Sequence, residues 1–233
     1  MVGSRRLLEL HRRLYEANEK HDEVAKVVRF EIDATPEARD RVPLLFRLGT
    51  LLEERLGRHD EAIAMFEEAV RLLPTYKPAL HGLGRLYERS GRWAELARLY
   101  EVELGLGDED VQARTGRLFK LAEILEQRLS REDDAIKLLV ELLRLQPGYP
   151  PALDALERLY GKLERHNELV ALYEVEVGLS EDVDRKVYLW SRIGQILEDK
   201  LQALDPAAAA FEKILELTPG KLEIGRASCR ERV

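Results

Sequence analysis

Three stretches of the chain align without gaps: "RRLYEANEKHDEVAKVVRFE" from residue 12, "GRLYERSGRWAELARLYEVE" from 84 and "ERLYGKLERHNELVALYEVE" from 157. They start 72 and 73 residues apart. A second set, "FRLGTLLEERLGRHDEAIAMFEEAVRLLP" from 46, "FKLAEILEQRLSREDDAIKLLVELLRLQP" from 119 and "SRIGQILEDKLQALDPAAAAFEKILELTP" from 191, falls between them at offsets of 73 and 72. A fixed period of this size restricts the chain to a stack of like units, because one unit cannot bury its own apolar face. Three super-repeats, about 6–77, 78–150 and 151–219, account for residues 6–219. Each divides into halves of roughly 35 to 38 residues, the size class of helix–turn–helix repeats.

Within each half the apolar residues keep the helical period, as Leu45, Leu48, Leu52 and Leu56 do. Thr35-Pro36 and Ser180 stand where helix N-caps are expected. Asp60, Asp133 and Asp205 align just before a further helix, and Pro206 suits a first turn. Pro74, Pro147 and Pro219 close helices, and Pro78 and Pro151 open them. The pattern predicts an all-α fold of twelve helices and no strand.

The halves resemble the tetratricopeptide repeat. One half carries Leu45, Leu48, Gly49, Ala62, Phe66, Ala69 and Pro74, and the last copy carries Trp190, Gly194, Ala207, Phe211 and Pro219. The other half carries Leu83, Gly84, Tyr87, Gly91 and Tyr100. One half has an extra residue between Gly49 and Ala62, and the other has Leu96 and Glu103 where small residues are usual. The alternating pairs look like those of long bacterial members of the family. The resemblance implies a right-handed α-solenoid of six hairpins over residues 1–220, with a concave groove that takes a protein or peptide segment.

Catalytic and metal constellations are missing from the sequence. None of His11, His21, His59, His81 and His166 stands near the single Cys229 or forms a zinc-binding helical pair. His21, Trp93 and His166 align, which marks a packing position near a helix start. No phosphate-binding glycine loop or nucleophile motif occurs. The expectation is no enzyme activity, no cofactor and no metal. A net charge of −7 argues against a nucleic-acid surface. One cysteine, no secretory leader and no apolar run of membrane-spanning length point to the cytoplasm.

Charges recur at the same period. Arg13, Arg85 and Arg158 align, at the position that in the resembled family faces the groove. Arg89 and Lys162 follow one turn later, while Glu53, Glu54, Glu123, Glu126, Gln195, Glu198 and Asp199 fall on the corresponding face of the adjoining helices. These stripes either neutralise each other as an internal ladder or read a partner segment. The candidate partner-binding set is Arg13, Arg85, Arg89, Arg158, Lys162, Glu54, Glu123 and Gln195. Glu31, Glu103 and Glu176 are expected to pair with Arg47, Lys120 and Arg192. The carboxylate clamp of some family members needs Asn and Lys at set positions, and Asn18 and Asn167 fall elsewhere.

The helical pattern stops at Pro219-Gly220, leaving an apolar flank with Phe211, Ile214 and Leu215. The ending "EIGRASCRERV" can be encoded by a sequencing adapter read in frame, so 221–233 is expected to be a non-native or disordered tail on a fragment. The sequence favours a non-catalytic interaction scaffold. Its rivals are the recruiting arm of a larger enzyme or signalling protein, and an RNA-processing half-a-tetratricopeptide protein suggested by "GRWAEL".

Overall fold

The computed structural model describes residues 2–107 and 110–219. These contain twelve α-helices and no strand: α1 (Val2–Ala17), α2 (His21–Asp33), α3 (Ala38–Glu54), α4 (His59–Leu72), α5 (Lys77–Ser90), α6 (Trp93–Gly105), α7 (Val111–Gln127), α8 (Glu132–Leu145), α9 (Pro150–Lys162), α10 (His166–Leu179), α11 (Val183–Asp199) and α12 (Leu204–Leu217). The expected tail at 221–233, with Cys229, lies outside the described residues.

Two compact units divide the chain, Met1–Glu109 and Asp110–Val233, so the boundary falls inside the second super-repeat. Each holds three helical hairpins packed on one another as turns of an α-solenoid: α1/α2, α3/α4 and α5/α6 in the first, α7/α8, α9/α10 and α11/α12 in the second. The first helix of each hairpin is called A below and the second B.

Two kinds of hairpin alternate. In α1/α2, α5/α6 and α9/α10 the turn closes five residues on, as Arg92 N–H donates to Tyr87 O (2.9 Å) and Arg165 N–H to Tyr160 O (2.9 Å). In the other three it closes six residues on, as in Arg58 N–H to Leu52 O and Arg131 N–H to Leu125 O, both 2.8 Å. The extra residue of the second sequence set is taken up here, in the turn rather than in a helix. Each turn passes through a left-handed residue: Glu19, Gly91 and Glu164 in one class, Gly57, Ser130 and Gln202 in the other. Glycine fits that geometry with least strain, yet four of the six are not glycine, because the surrounding turn bonds impose it.

Helix starts differ in detail from expectation. The residue capping α3 is Glu37, while buried Thr35 donates its hydroxyl back to Glu31 O (2.7 Å) and so belongs to the end of α2. Asp182 caps α11 by accepting from Asp184 N–H (3.0 Å), and Ser180 closes α10. Proline at position 36 disfavours helix at Thr35 and pushes the cap along the chain. Asp60, Asp133 and Asp205 lie within the first turns of α4, α8 and α12 rather than before them. There their charge meets the positive helix end. His21, Trp93 and His166 each open a helix.

The core of a step is clearest at Phe66. Its ring lies between Gly49 of α3 and Gly82 of α5, where an added Cβ would stand 2.7 Å from Cδ1 and 2.8 Å from Cε2. The close approach falls at Gly82, and the motif residue Gly84 makes ordinary contact with Leu99 at 3.7 Å. The same register in the second unit holds Ala122, Leu139 and Ala155, all buried. Phe211 rests on Gly194 in the same way, but with no further hairpin described beyond α12 it is only half-buried, and Leu215 is exposed.

Candidate functional site

The expected site residues lie along the A helices, and Arg13, Arg85, Arg158 and Lys162 form ion pairs there. Arg85 of α5 reaches back to Glu53 of α3 through two bonds, Nε to Oε1 at 3.0 Å and Nη2 to Oε2 at 2.7 Å. In the second unit Arg158 of α9 grips Glu126 of α7 in the same two-pronged way. Both acids are nearly sealed, with side chains 5% and 8% exposed, while the arginines are 55% and 56% exposed. A planar guanidinium matches a carboxylate bidentately, which fixes the arginine's orientation. The bond from Glu53 raises the Arg85 pKa, and the nearby Glu54 adds to the effect.

The next turn repeats the theme. Lys162 Nζ bonds Glu132 of α8 at 2.8 Å, and Arg89 bonds the ring of His59 of α4. His59 and Glu132 open equivalent helices, 73 residues apart. Arg13, on α1, bonds Glu9 on its own helix at 2.7 Å. Glu54, Glu123 and Gln195 are exposed on α3, α7 and α11. The first unit thus gathers Arg85, Arg89 and Glu54 around the α3–α5 seam. The second gathers Arg158 and Lys162 on α9, against acids of α7 and α8.

Two of the expected pairs, Glu31 with Arg47 and Glu176 with Arg192, give way to others. Glu31 accepts from Arg12 at 2.9 Å and Glu176 from Arg185 at 2.7 Å. Arg192 bonds the Tyr173 hydroxyl, which also donates to Glu157 at 2.5 Å. Tyr173 is fully buried, and burial is the main cause of its raised pKa. A recurring register brings residues to the same seam, but which base fills it depends on side-chain reach across the packed helices. Sequence spacing does not contain that distance.

Two tetratricopeptide repeat family models match the chain, one over residues 55–95 and one over 79–112. Residues 55–112 are tetratricopeptide repeats. The other described hairpins share their helix lengths and turn closures, so the same helical-hairpin frame recurs in both units. Among solved structures, the MamA protein aligns at 16% identity over 96% of both chains, TM-score 0.43. YrrB, described as a tetratricopeptide protein with an unusual peptide-binding site, aligns at 16% identity over 79% of this chain and 90% of its own, TM-score 0.43. A tetratricopeptide repeat protein from Parabacteroides merdae aligns at 15% identity over 96% of this chain and 89% of its own, TM-score 0.46. No curated protein sequence matches. No described helix is long and apolar enough to cross a membrane.

Proposed function

We propose that the chain is a non-catalytic scaffold whose A-helix face binds a segment of another protein. The supporting observation is the pair Arg85 and Arg158, each more than half exposed and each held by a nearly sealed carboxylate. A guanidinium has five N–H donors, and each of these bonds consumes only some of them. The remaining donors point from a pre-oriented group, so a partner's carboxylate or backbone carbonyl meets them at reduced ordering cost. The paired acids cancel most of the net charge, so the face selects by hydrogen-bond geometry more than by long-range attraction. Arg89, Lys162, Glu54, Glu123 and Gln195 extend the same face within their units, and Arg13 stands on α1. A cytoplasmic location goes with this reading, since the helical frame holds together without a disulfide.

The test compares proteins retained from a cell extract by the immobilised wild-type chain and by an Arg85→Gln/Arg158→Gln variant of matched helical content. Loss of the retained partners is expected. An identical retained set removes the arginine row from the site.

A further inference from the structure

In the second unit a groove of about 340 Å³ opens between the B helices α8 and α10, with α9 as its floor. Val140 and Leu143 form one wall, Leu172 and Val175 the other, and Leu156 and Tyr160 the base. The equivalent seam in the first unit, between α4 and α6, is filled with polar contacts. There Glu67 stands in the place of Val140 and accepts the Tyr87 hydroxyl at 2.6 Å. Arg92 packs over the Tyr87 ring, bonds Glu95 at 3.0 Å and approaches Glu67 at 3.9 Å. Arg98 occupies the place of Ala171.

Two small residues in the second unit, Val140 and Ala171, remove that plug. Their effect spreads to the rim. Tyr160 keeps the place of Tyr87, but no described side chain bonds its hydroxyl. Arg165, the counterpart of Arg92, bonds Asp133 while still acting on Tyr160 through its charge, and no described side chain forms a salt bridge with Glu168. Arg71 is held by Glu68, but Glu141, the counterpart of Glu68, bonds Arg114 at 2.7 Å, and no described side chain pairs with Arg144. An apolar floor is thus bordered by a cation and an anion with no salt bridge, and a phenol with no side-chain hydrogen bond, among the described residues.

The connections 146–149 and 163–165 are short, so α9 runs back between α8 and α10, which point the same way. Arg144 lies in the last turn of α8 and Glu168 in the first turn of α10, hence at opposite ends of the groove. Positions 168, 171, 172 and 175 form a single helical stripe about 10 Å long, counting 1.5 Å per residue. A second helix fits such a trough with side chains at matching steps.

We propose that this groove docks an amphipathic helix of a partner polypeptide. Its apolar side chains enter between α8 and α10, with an acidic residue at the Arg144 end and a basic residue at the Glu168 end. Burying an apolar stripe supplies affinity, and the two charges set the direction in which the helix lies. The groove is lined by other residues than the A-helix arginines, and stands or falls separately from them.

The test is selection of a displayed library of helical peptides, about four turns long, against the full chain. Counter-selection uses Ala171→Arg, which installs the first unit's residue at an exposed position. A peptide family is expected that binds the wild type only, with apolar residues at i and i+3 or i+4 between an acid and a base. In fluorescence polarisation, Arg144→Glu should weaken such a peptide about tenfold, equal to about 1.4 kcal/mol. Exchanging the peptide's acid for lysine should recover the loss. The proposal is overturned if no family distinguishes wild type from Ala171→Arg, or if the enriched peptides lack helical spacing. It is also overturned if the chain itself dimerises and Ala171→Arg dissociates the dimer, since the occupant is then a second copy.

Discussion

Tyr87 and Tyr160 hold the same place in two hairpin steps, on A helices 73 residues apart, and their surroundings differ. Around Tyr87 an acid, a base and the hydroxyl close on one another and fill the seam between α4 and α6. Around Tyr160 the same backbone leaves an apolar groove between α8 and α10. The helices, turns and register of the two steps agree, so the contrast comes from a few side chains on an unchanged frame. In a repeat protein the recurring residues build the stack, and the residues that break the recurrence are where surfaces diverge.

The largest test of that contrast lies in the core of the step. Phe66 needs two glycines beside it, whereas the second unit fills the register with Ala122, Leu139 and Ala155. Alanine favours a helix over glycine by about 1 kcal/mol, but a methyl pressed into the Phe66 ring costs about 1–3 kcal/mol. Gly49→Ala is therefore expected to lower stability by up to about 2 kcal/mol, read as an earlier urea midpoint. Gly49→Ala/Gly82→Ala/Phe66→Leu, which copies the second unit, should be more stable than the summed single effects. Additive losses would mean that the glycines and the ring are not coupled.

The next effect separates two arginines of one recurring position. Arg85→Ala strands the nearly sealed Glu53 carboxylate and is expected to cost about 1–2 kcal/mol. Arg13→Ala breaks an exposed pair with Glu9 on one helix and should cost about 0.5 kcal/mol or less. Equal losses in thermal melts would show that burial of the acid does not govern the difference.

The smallest effect returns to the tyrosines. Tyr87→Phe removes a bonded hydroxyl and should cost about 1 kcal/mol at neutral pH, while Tyr160→Phe should lie within about 0.5 kcal/mol of wild type. Burial raises the pKa of both tyrosines above the ordinary 10.0. The unfolded chain then ionises first, so this stability is complete below pH 10.0 and is lost as pH rises beyond it. Each variant should flatten the alkaline fall in stability, followed by tyrosinate absorbance. An alkaline profile unchanged by both substitutions would show that other groups control it.

The frame was legible from the chain because its causes are local. Period, apolar spacing and prolines placed all twelve helices, since helices depend on neighbouring residues. The caps at Glu37 and Asp182 were less legible, because Thr35 and Ser180 are equally good hydrogen-bonding residues and the preceding helix claimed them. The acids Glu53 and Glu126 could be placed on a face from spacing, but not their burial, which requires knowing that α5 and α9 cover them. The groove at α8–α10 carried one faint signal, the change from Glu67 and Arg98 to Val140 and Ala171. Alone it reads as ordinary surface variation, because the residues that matter come from three helices.

By itself the sequence determined the repeat, the helix count, the alternation of two hairpin lengths and the row of A-helix arginines, all set by contacts within one unit's length. Only the tertiary structure decided that Glu31 takes Arg12, that Glu176 takes Arg185, and that Arg144 and Glu168 border an apolar trough with no salt bridge among the described residues. Those outcomes depend on distances between side chains of separate packed helices. A few ångströms there reassign a partner without changing a single helix.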